Sequence, residues 1–392
     1  LSSEYRRRQD SRIKLANADA VRAANTPAQP ARRQQMTAIG FSSDYQHEGS
    51  HALCDALVAR AQGRPVPRYA ELWADEHLLA SLAHARLMAC GRDRGINPAA
   101  HGDVIRLALT TTDYTHWLGG AHSKLVTELY ASTNATFLRL GKRTDFRDFR
   151  STSLLNPSDF PTPTETAEAG ETRRGAIIEG GEVGALATYS SRAALSYQSL
   201  VNDDSGIFLS IAEAAALRAV DRVESLFWQT ILSGSGAGPT LRDGVAYFAT
   251  ARGNLASSGS AISTTSIGAA RAAMMRFAGP GGSASVAVPK FLVCAPEKLA
   301  LAEAETAKLA LGADAQMRLT VLATPHITGN AWFLFAPPAQ RPSFAFGYLE
   351  GTNGPQVSAR PHWETDGVEF TLVIDAHVTP VDWRGSYQDP GA

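Results

Sequence analysis

Apolar positions recur at helical spacing in the first quarter of the chain. Leu53, Leu57 and Val58 form one set; Leu78, Leu79, Leu82, Leu87 and Met88 form a second. Gly63-Arg64-Pro65-Val66-Pro67 separates the two, and Gly91 and Gly95 stop the second. A short helix is expected over Asp103–Leu109 and another over Lys124–Ala131, with Asp113 as a helix cap between them. Thr136–Leu140 and Asp145–Leu155 read as extended. After a break rich in Pro, Ser and Thr (Asn156–Gly170), Gly175–Glu179 and Leu186–Tyr197 alternate like strands around a Gly180-Gly181 turn signal. This ribbon has too few large apolar residues to build a core, and a lone two-stranded ribbon is marginal in water. It needs a surface to lie on.

The strongest helical pattern follows. Asn202, Asp203 and Asp204 cap a helix over about Gly206–Leu232, marked by Ile211, Ala215, Val220, Val223, Phe227 and Ile231 and ended by Ser233-Gly234-Ser235-Gly236. Beyond it the pattern predicts helices at Ser266–Phe277 and Pro296–Ala310. Strands are expected at Phe291–Cys294, Leu319–Ala323, Trp332–Phe335 and Phe344–Leu349. Gln356–Trp363 and Val368–Val378 form a hairpin through Thr365-Asp366-Gly367. Strands mixed irregularly with helices define an α+β chain.

Composition narrows the function. The 392 residues are 44% hydrophobic and carry a formal net charge of −1, which suits a protein that packs against copies of itself better than a dedicated nucleic-acid binder. The charge is uneven. The first 35 residues hold Arg6, Arg7, Arg8, Arg12 and Lys14 with few anions, a basic arm suited to a neighbouring subunit or enclosed nucleic acid, or simply to solvent. Cys54, Cys90 and Cys294 show no repeated spacing, so they read as buried thiols without a disulfide framework. No apolar run is long enough to cross a membrane and no signal peptide is visible. His47-Glu48-Gly49-Ser50-His51 matches the H-E-x-x-H zinc pattern, but Gly49 and Ser50 weaken the helix that would have to hold both ligands. The Gly-rich Ser233–Gly238 lacks the Lys-Ser/Thr of a phosphate loop. No cofactor, metal site or catalytic set is expected.

An ordered series of segments resembles the tailed-phage major capsid proteins of the Johnson (HK ninety-seven-like) fold, nearest the Mu-like head-subunit branch with its prohead protease fusions. Thr110-Thr111-Thr112-Asp113-Tyr114 is similar to the segment opening the capsid domain. Asp145–Phe149 resembles the strand leading to the E-loop, and Glu165–Glu171 its acidic approach. Ser191-Arg192 and Val201–Asp204 resemble the loop's return and the spine-helix cap, and Val378–Ala392 the closing segment. The resemblance implies a basic arm and helical region at 1–106, the start of a peripheral domain at 107–160 and an E-loop hairpin at 161–201. It further implies a spine helix at 202–233, a mainly axial domain at 234–341 and return strands at 342–392. It implies a non-enzymatic shell subunit assembling in pentamers and hexamers in the host bacterial cytoplasm. The resulting virion capsid would enclose double-stranded DNA, contacted non-specifically, with portal and decoration proteins as partners. Leu1 would be a maturation cut. Inter-subunit contacts are expected from Glu171, Arg173, Arg174, Glu179, Glu182 and Arg192. Relatives that link the E-loop covalently use a lysine; none lies between Lys142 and Lys290, so a non-covalent shell is expected. A nanocompartment shell of the same fold, or a zinc hydrolase using His47, Glu48 and His51, remain the alternatives.

Overall fold

A computed structural model describes residues 55, 58–59, 63–67, 101–109, 112–156, 180–202, 205–279, 287–310, 318–352, 354–362 and 367–392. The basic arm, the two helices expected before residue 96 and the His47–His51 motif fall essentially outside these residues.

Helix α1 (His101–Leu109) leads to α2 (Thr112–Ser132), a continuous helix where a cap at Asp113 and a shorter helix over Lys124–Ala131 are expected. Gly119-Gly120 hides it in the sequence. Gly119 packs onto a strand so closely that a Cβ would lie 2.9 Å from the Ala359 backbone nitrogen. Helix α3 (Thr136–Leu140) stands where an extended segment is expected. The cause is tertiary: the Glu224 carboxylate accepts the Phe137 N–H at 3.2 Å and a bond from the Thr136 hydroxyl, which satisfies orphan donors of the first turn. Phe137 and Leu140, spaced for one helix face, are both buried.

Strands β1 (Gly141–Arg143), β8 (Phe344–Tyr348), β10 (Gly367–Pro380) and β4 (Ala187–Ser196) follow one another across a five-stranded sheet. The fifth strand, β9 (Gln356–Pro361), pairs with β10 in the hairpin read from the sequence. β1 runs parallel to β8; the other pairings are antiparallel. A short helix, α4 (Tyr197–Val201), follows β4 and precedes α5 (Ser205–Ile231). The 27 residues of α5 extend about 40 Å at 1.5 Å per residue. Its stripe Ala212, Ala216, Ala219, Val223, Phe227 and Ile231 is buried, largely at i, i+4 and i+7 spacing. The small alanines bring the helix close to the sheet. Leu217 points the other way and is 56% exposed.

A second, four-stranded sheet has the order β11 (Ser386–Asp389), β7 (Trp332–Phe335), β5 (Phe291–Cys294), β6 (Thr320–Ala323). Helices α6 (Thr264–Met275) and α7 (Leu299–Ala310) belong to this half. α6 opens with a Ser263–Ser266 capping box. Strand β7 is buried throughout and serves two cores. Trp332 and Leu334 join Ile267, Met274 and Leu292, whereas Phe333 and Phe335 face Trp228 of α5 with the aromatic rings of Phe227, Phe248 and Phe344. Alternation along a strand buried on both faces thus couples the halves. Cys294 is a buried free thiol, as expected, and burial pushes its pKa up to about 11. Cys54 and Cys90 lie outside the described residues.

Candidate functional site

Three features face outward and adjoin one another: a ribbon, a strand edge and a groove. The ribbon pairs β2 (Thr152–Asn156) with β3 (Gly180–Gly184). Gly180 and Gly181, expected to form a turn, are strand residues. A Cβ on Gly181 would lie 2.8 Å from the Leu154 carbonyl oxygen, so the glycine permits close strand approach. The paired ends of the ribbon are Asn156 and Gly180, and residues 157–179 connect them.

The ribbon base is fixed at two points. Both Glu182 carboxylate oxygens accept the Arg242 N–H at 3.1 Å. Gly184 sits on β10, where a Cβ would meet the Thr379 hydroxyl at 2.2 Å and the His377 ring at 2.3 Å. His377 is buried, bonded to the Thr379 hydroxyl, with the Phe146 ring edge-on at 4.3 Å; desolvation lowers its pKa to about 4.

Strand β4 continues from this base along β10. The ribbon return, expected to need a surface to lie on, finds it in its own chain over its whole length, from Ala187↔Ala376 to Ser196↔Gly367. The long β10 supplies a template that local sequence does not reveal. Among the described residues no strand pairs with the other edge of β4, and most of its side chains are exposed. Edges of this kind present unpaired backbone groups. Phe149 and Val183, beside the ribbon base, are 50% and 61% exposed.

The groove lies between α5, α2 and the sheet, with a volume of about 260 Å³. Its walls are mainly apolar: Ala193, Ile211, Ala215, Leu372 and Phe370 contribute, with His122 stacked on Phe370 at 4.6 Å. His122 is buried, and desolvation lowers its pKa to about 4. Arg192 and Arg218 form the polar rim, with side chains 59% and 81% exposed. Arg192 lies 3.8 Å from Glu369, whose carboxyl is held below its usual range first by the 2.6 Å bond from Arg360. One turn along α5, the Arg222 guanidinium covers the Tyr189 ring at 4.0 Å and ties the helix to the edge strand.

Of the residues singled out from sequence, Glu182 and Arg192 stand beside the ribbon and the groove. Asn202 is exposed in the turn between α4 and α5, its N–H bonded to the Gln198 carbonyl. Glu171, Arg173, Arg174, Glu179, Asp203 and Asp204 lie outside the described residues. Sequence reasoning missed His122, Arg218 and Arg222. The i, i+4 spacing of the two arginines beside the apolar stripe of α5 was a usable signal; His122 was not, because the helix that presents it is masked by Gly119-Gly120. Among the described residues no cluster of His, Cys, Asp and Glu could hold a metal ion, and no helix is long and apolar enough to cross a membrane.

What this surface offers is a ribbon, an open strand edge and a shallow groove, the equipment of a structural subunit. A family model described as phage capsid protein matches residues 181–388, from β3 to β11 and a little over half of the chain. The chain belongs to the phage capsid protein family and has the structural role of a major capsid subunit. No curated protein matches it. Among solved structures it is similar to the capsid of Myoviridae phage XM1, at 13% identity and a TM-score of 0.41, over 66% of this chain and 92% of that one. It is also similar to the virus-like particle from Pyrococcus furiosus, at 14% identity and a TM-score of 0.41, over 69% and 98%. The holo-SrpI encapsulin complex from Synechococcus elongatus PCC 7942 gives 10% identity, a TM-score of 0.42, and coverage of 65% and 86%.

Proposed function

We propose that the chain assembles with itself, in pentamers and hexamers, into the icosahedral head shell that encloses phage double-stranded DNA. Family membership supports the shell role, and one observation carries the assembly reading: among the described residues the β2–β3 ribbon pairs only with itself, and the outer edge of the adjoining β4 has no partner strand. Such elements are completed by another copy, and heterologous contacts of this kind close into rings. In this reading the ribbon with residues 157–179 is the E-loop and α5 the spine of the peripheral domain. The second sheet forms the core of the axial domain. The basic arm touches a neighbour or the enclosed DNA non-specifically, and portal and decoration proteins dock from outside. The particle is a virion capsid assembled in the host cytoplasm.

Electron microscopy of the purified protein tests this directly. Closed shells are expected; a species that remains monomeric at high concentration sinks the proposal. The loop carries Arg173 and Arg174 but no lysine, and arginine does not form the isopeptide that lysine can. Denatured particles are therefore expected to run as single chains on a gel. A covalent ladder mapped to this loop would refute the non-covalent shell while leaving the shell itself standing.

A further inference from the structure

The groove beside α5 has a chemistry that a structural role does not explain. Strand register defines its floor. Ala193 pairs with Phe370, Ser191 with Leu372 and Leu372 with Val357, and directly paired residues of antiparallel strands point to one face. Ile211, Ala214 and Ala215 of α5 supply the facing wall. Small side chains on both sides, Ala193 on β4 and Ala214 and Ala215 on α5, leave the space between helix and strand open.

The size of that space restricts what can enter. Its volume of about 260 Å³ equals roughly nine water molecules at their share of the liquid, room for about ten non-hydrogen atoms. Sites for drug-sized ligands run to about 300–1,000 Å³, so the fitting occupant is a small molecule and not a lipid with two chains. Charge restricts it further. The groove is lined by Arg192 and Arg218, and among the described residues no carboxylate lines it. The nearest anion to Arg218 is Asp221 at 3.6 Å; both side chains are largely exposed, and a pair of that kind contributes little. The guanidinium is therefore open to a stronger partner. The Ser191 hydroxyl, exposed on the strand side, offers a second donor. An apolar enclosure with cationic and hydroxyl donors at its mouth selects an aliphatic body carrying one negative head.

We propose that this groove is a binding site for a free aliphatic carboxylate of about six to eight carbons, its chain lying on Ala193, Ile211, Ala215 and Leu372 and its carboxylate meeting the Arg218 guanidinium and the Ser191 hydroxyl. The inference goes beyond the shell reading and does not depend on it. The His122–Phe370 stack closes the floor beneath the chain.

Sodium octanoate is the probe, titrated by calorimetry into the purified full-length protein. Saturable binding is expected with a dissociation constant on the order of 0.1–1 mM. Octanol has the same chain without the charge, and acetate the charge without the chain; each is expected to bind about tenfold more weakly or worse. Arg218→Gln is expected to weaken octanoate about tenfold and leave octanol unchanged, because only the charged hydrogen bonds are lost. Ala214 is exposed, so Ala214→Phe can fill the groove without entering the core; it is expected to abolish octanoate binding while the melting temperature without ligand stays as in the wild type. Absence of saturable binding up to about 10 mM octanoate overturns the proposal. So does octanoate that binds no better than octanol, or binding that either variant leaves unchanged.

Discussion

Glu224 shows how much one side chain can organise. It sits on α5, yet its carboxylate closes the first turn of α3 and accepts the Trp228 indole N–H at 2.9 Å, while the same N–H reaches the Thr136 hydroxyl at 3.0 Å. Glu224→Ala removes an acceptor from the Phe137 N–H and from a fully buried indole, which is expected to cost about 1–2 kcal/mol. Urea unfolding of isolated subunits, followed by tryptophan fluorescence, would measure it; an unchanged midpoint contradicts the capping role. The two buried histidines act differently. His122 and His377 both have pKa values lowered to about 4 by desolvation, from an unperturbed 6.5. Below pH 6.5 the unfolded chain takes up protons that the folded chain refuses. Their contribution to stability is therefore complete above pH 6.5 and is lost as pH falls toward 4, by about 1.4 kcal/mol per pH unit for each ring. Subunit stability measured at pH 7.5 and 5 should show this slope, and His377→Asn should flatten it. An identical slope in the variant would mean that other groups set it.

At the scale of elements, the sequence was readable where local pattern and tertiary environment agree. Helix α5 declares itself by its apolar stripe, and the β9–β10 hairpin by alternation around Asp366-Gly367. Failures occur where a distant partner decides. Helix α3 depends on Glu224, eighty-seven residues from the Phe137 it caps. Strand β4 depends on β10, nearly two hundred residues on, and the ribbon surface went unread for the same reason. In α2 the two glycines disguised a helix, and they are not equivalent. Gly119 abuts the backbone and Cβ of Ala359, whereas a Cβ on Gly120 would meet nothing within 4 Å. Gly119→Ala is expected to push the helix from the sheet and destabilise the subunit by about 1–3 kcal/mol. Gly120→Ala should stabilise it by about 0.5–1 kcal/mol through helix propensity and a less disordered unfolded chain. Thermal melts of the two variants moving in the same direction would show that close packing onto β9 is not what selects Gly119.

Across the whole molecule, the last residues join the two sheets. Strand β10 belongs to the five-stranded sheet, yet fewer than ten residues later β11 pairs with β7 in the other. Between them Asp382 is buried, 3.3 Å from both Arg341 and Arg384, and its carbonyl accepts the Tyr247 hydroxyl at 2.9 Å. Ser386 in turn donates to Tyr247, and Asp389 holds the Ser260 N–H at 2.8 Å. Removing the Asp382 carboxylate leaves two guanidiniums facing each other in a poorly hydrated site. Broken buried ion pairs cost about 3–5 kcal/mol; because Arg341 and Arg384 keep 15% and 19% of their surface, Asp382→Ala is expected near the lower value. The form of the transition is as informative as its size. Two halves that unfolded independently would give a biphasic curve when their junction is weakened. Here β7 buries Trp332 and Leu334 in one core and Phe333 and Phe335 in the other, so neither half can lose its packing while the other keeps its own. Asp382→Ala should therefore shift a single cooperative transition, with fluorescence and circular dichroism coincident. Separation of the two signals would mean that the closing segment, and not the shared strand, makes the subunit one unit.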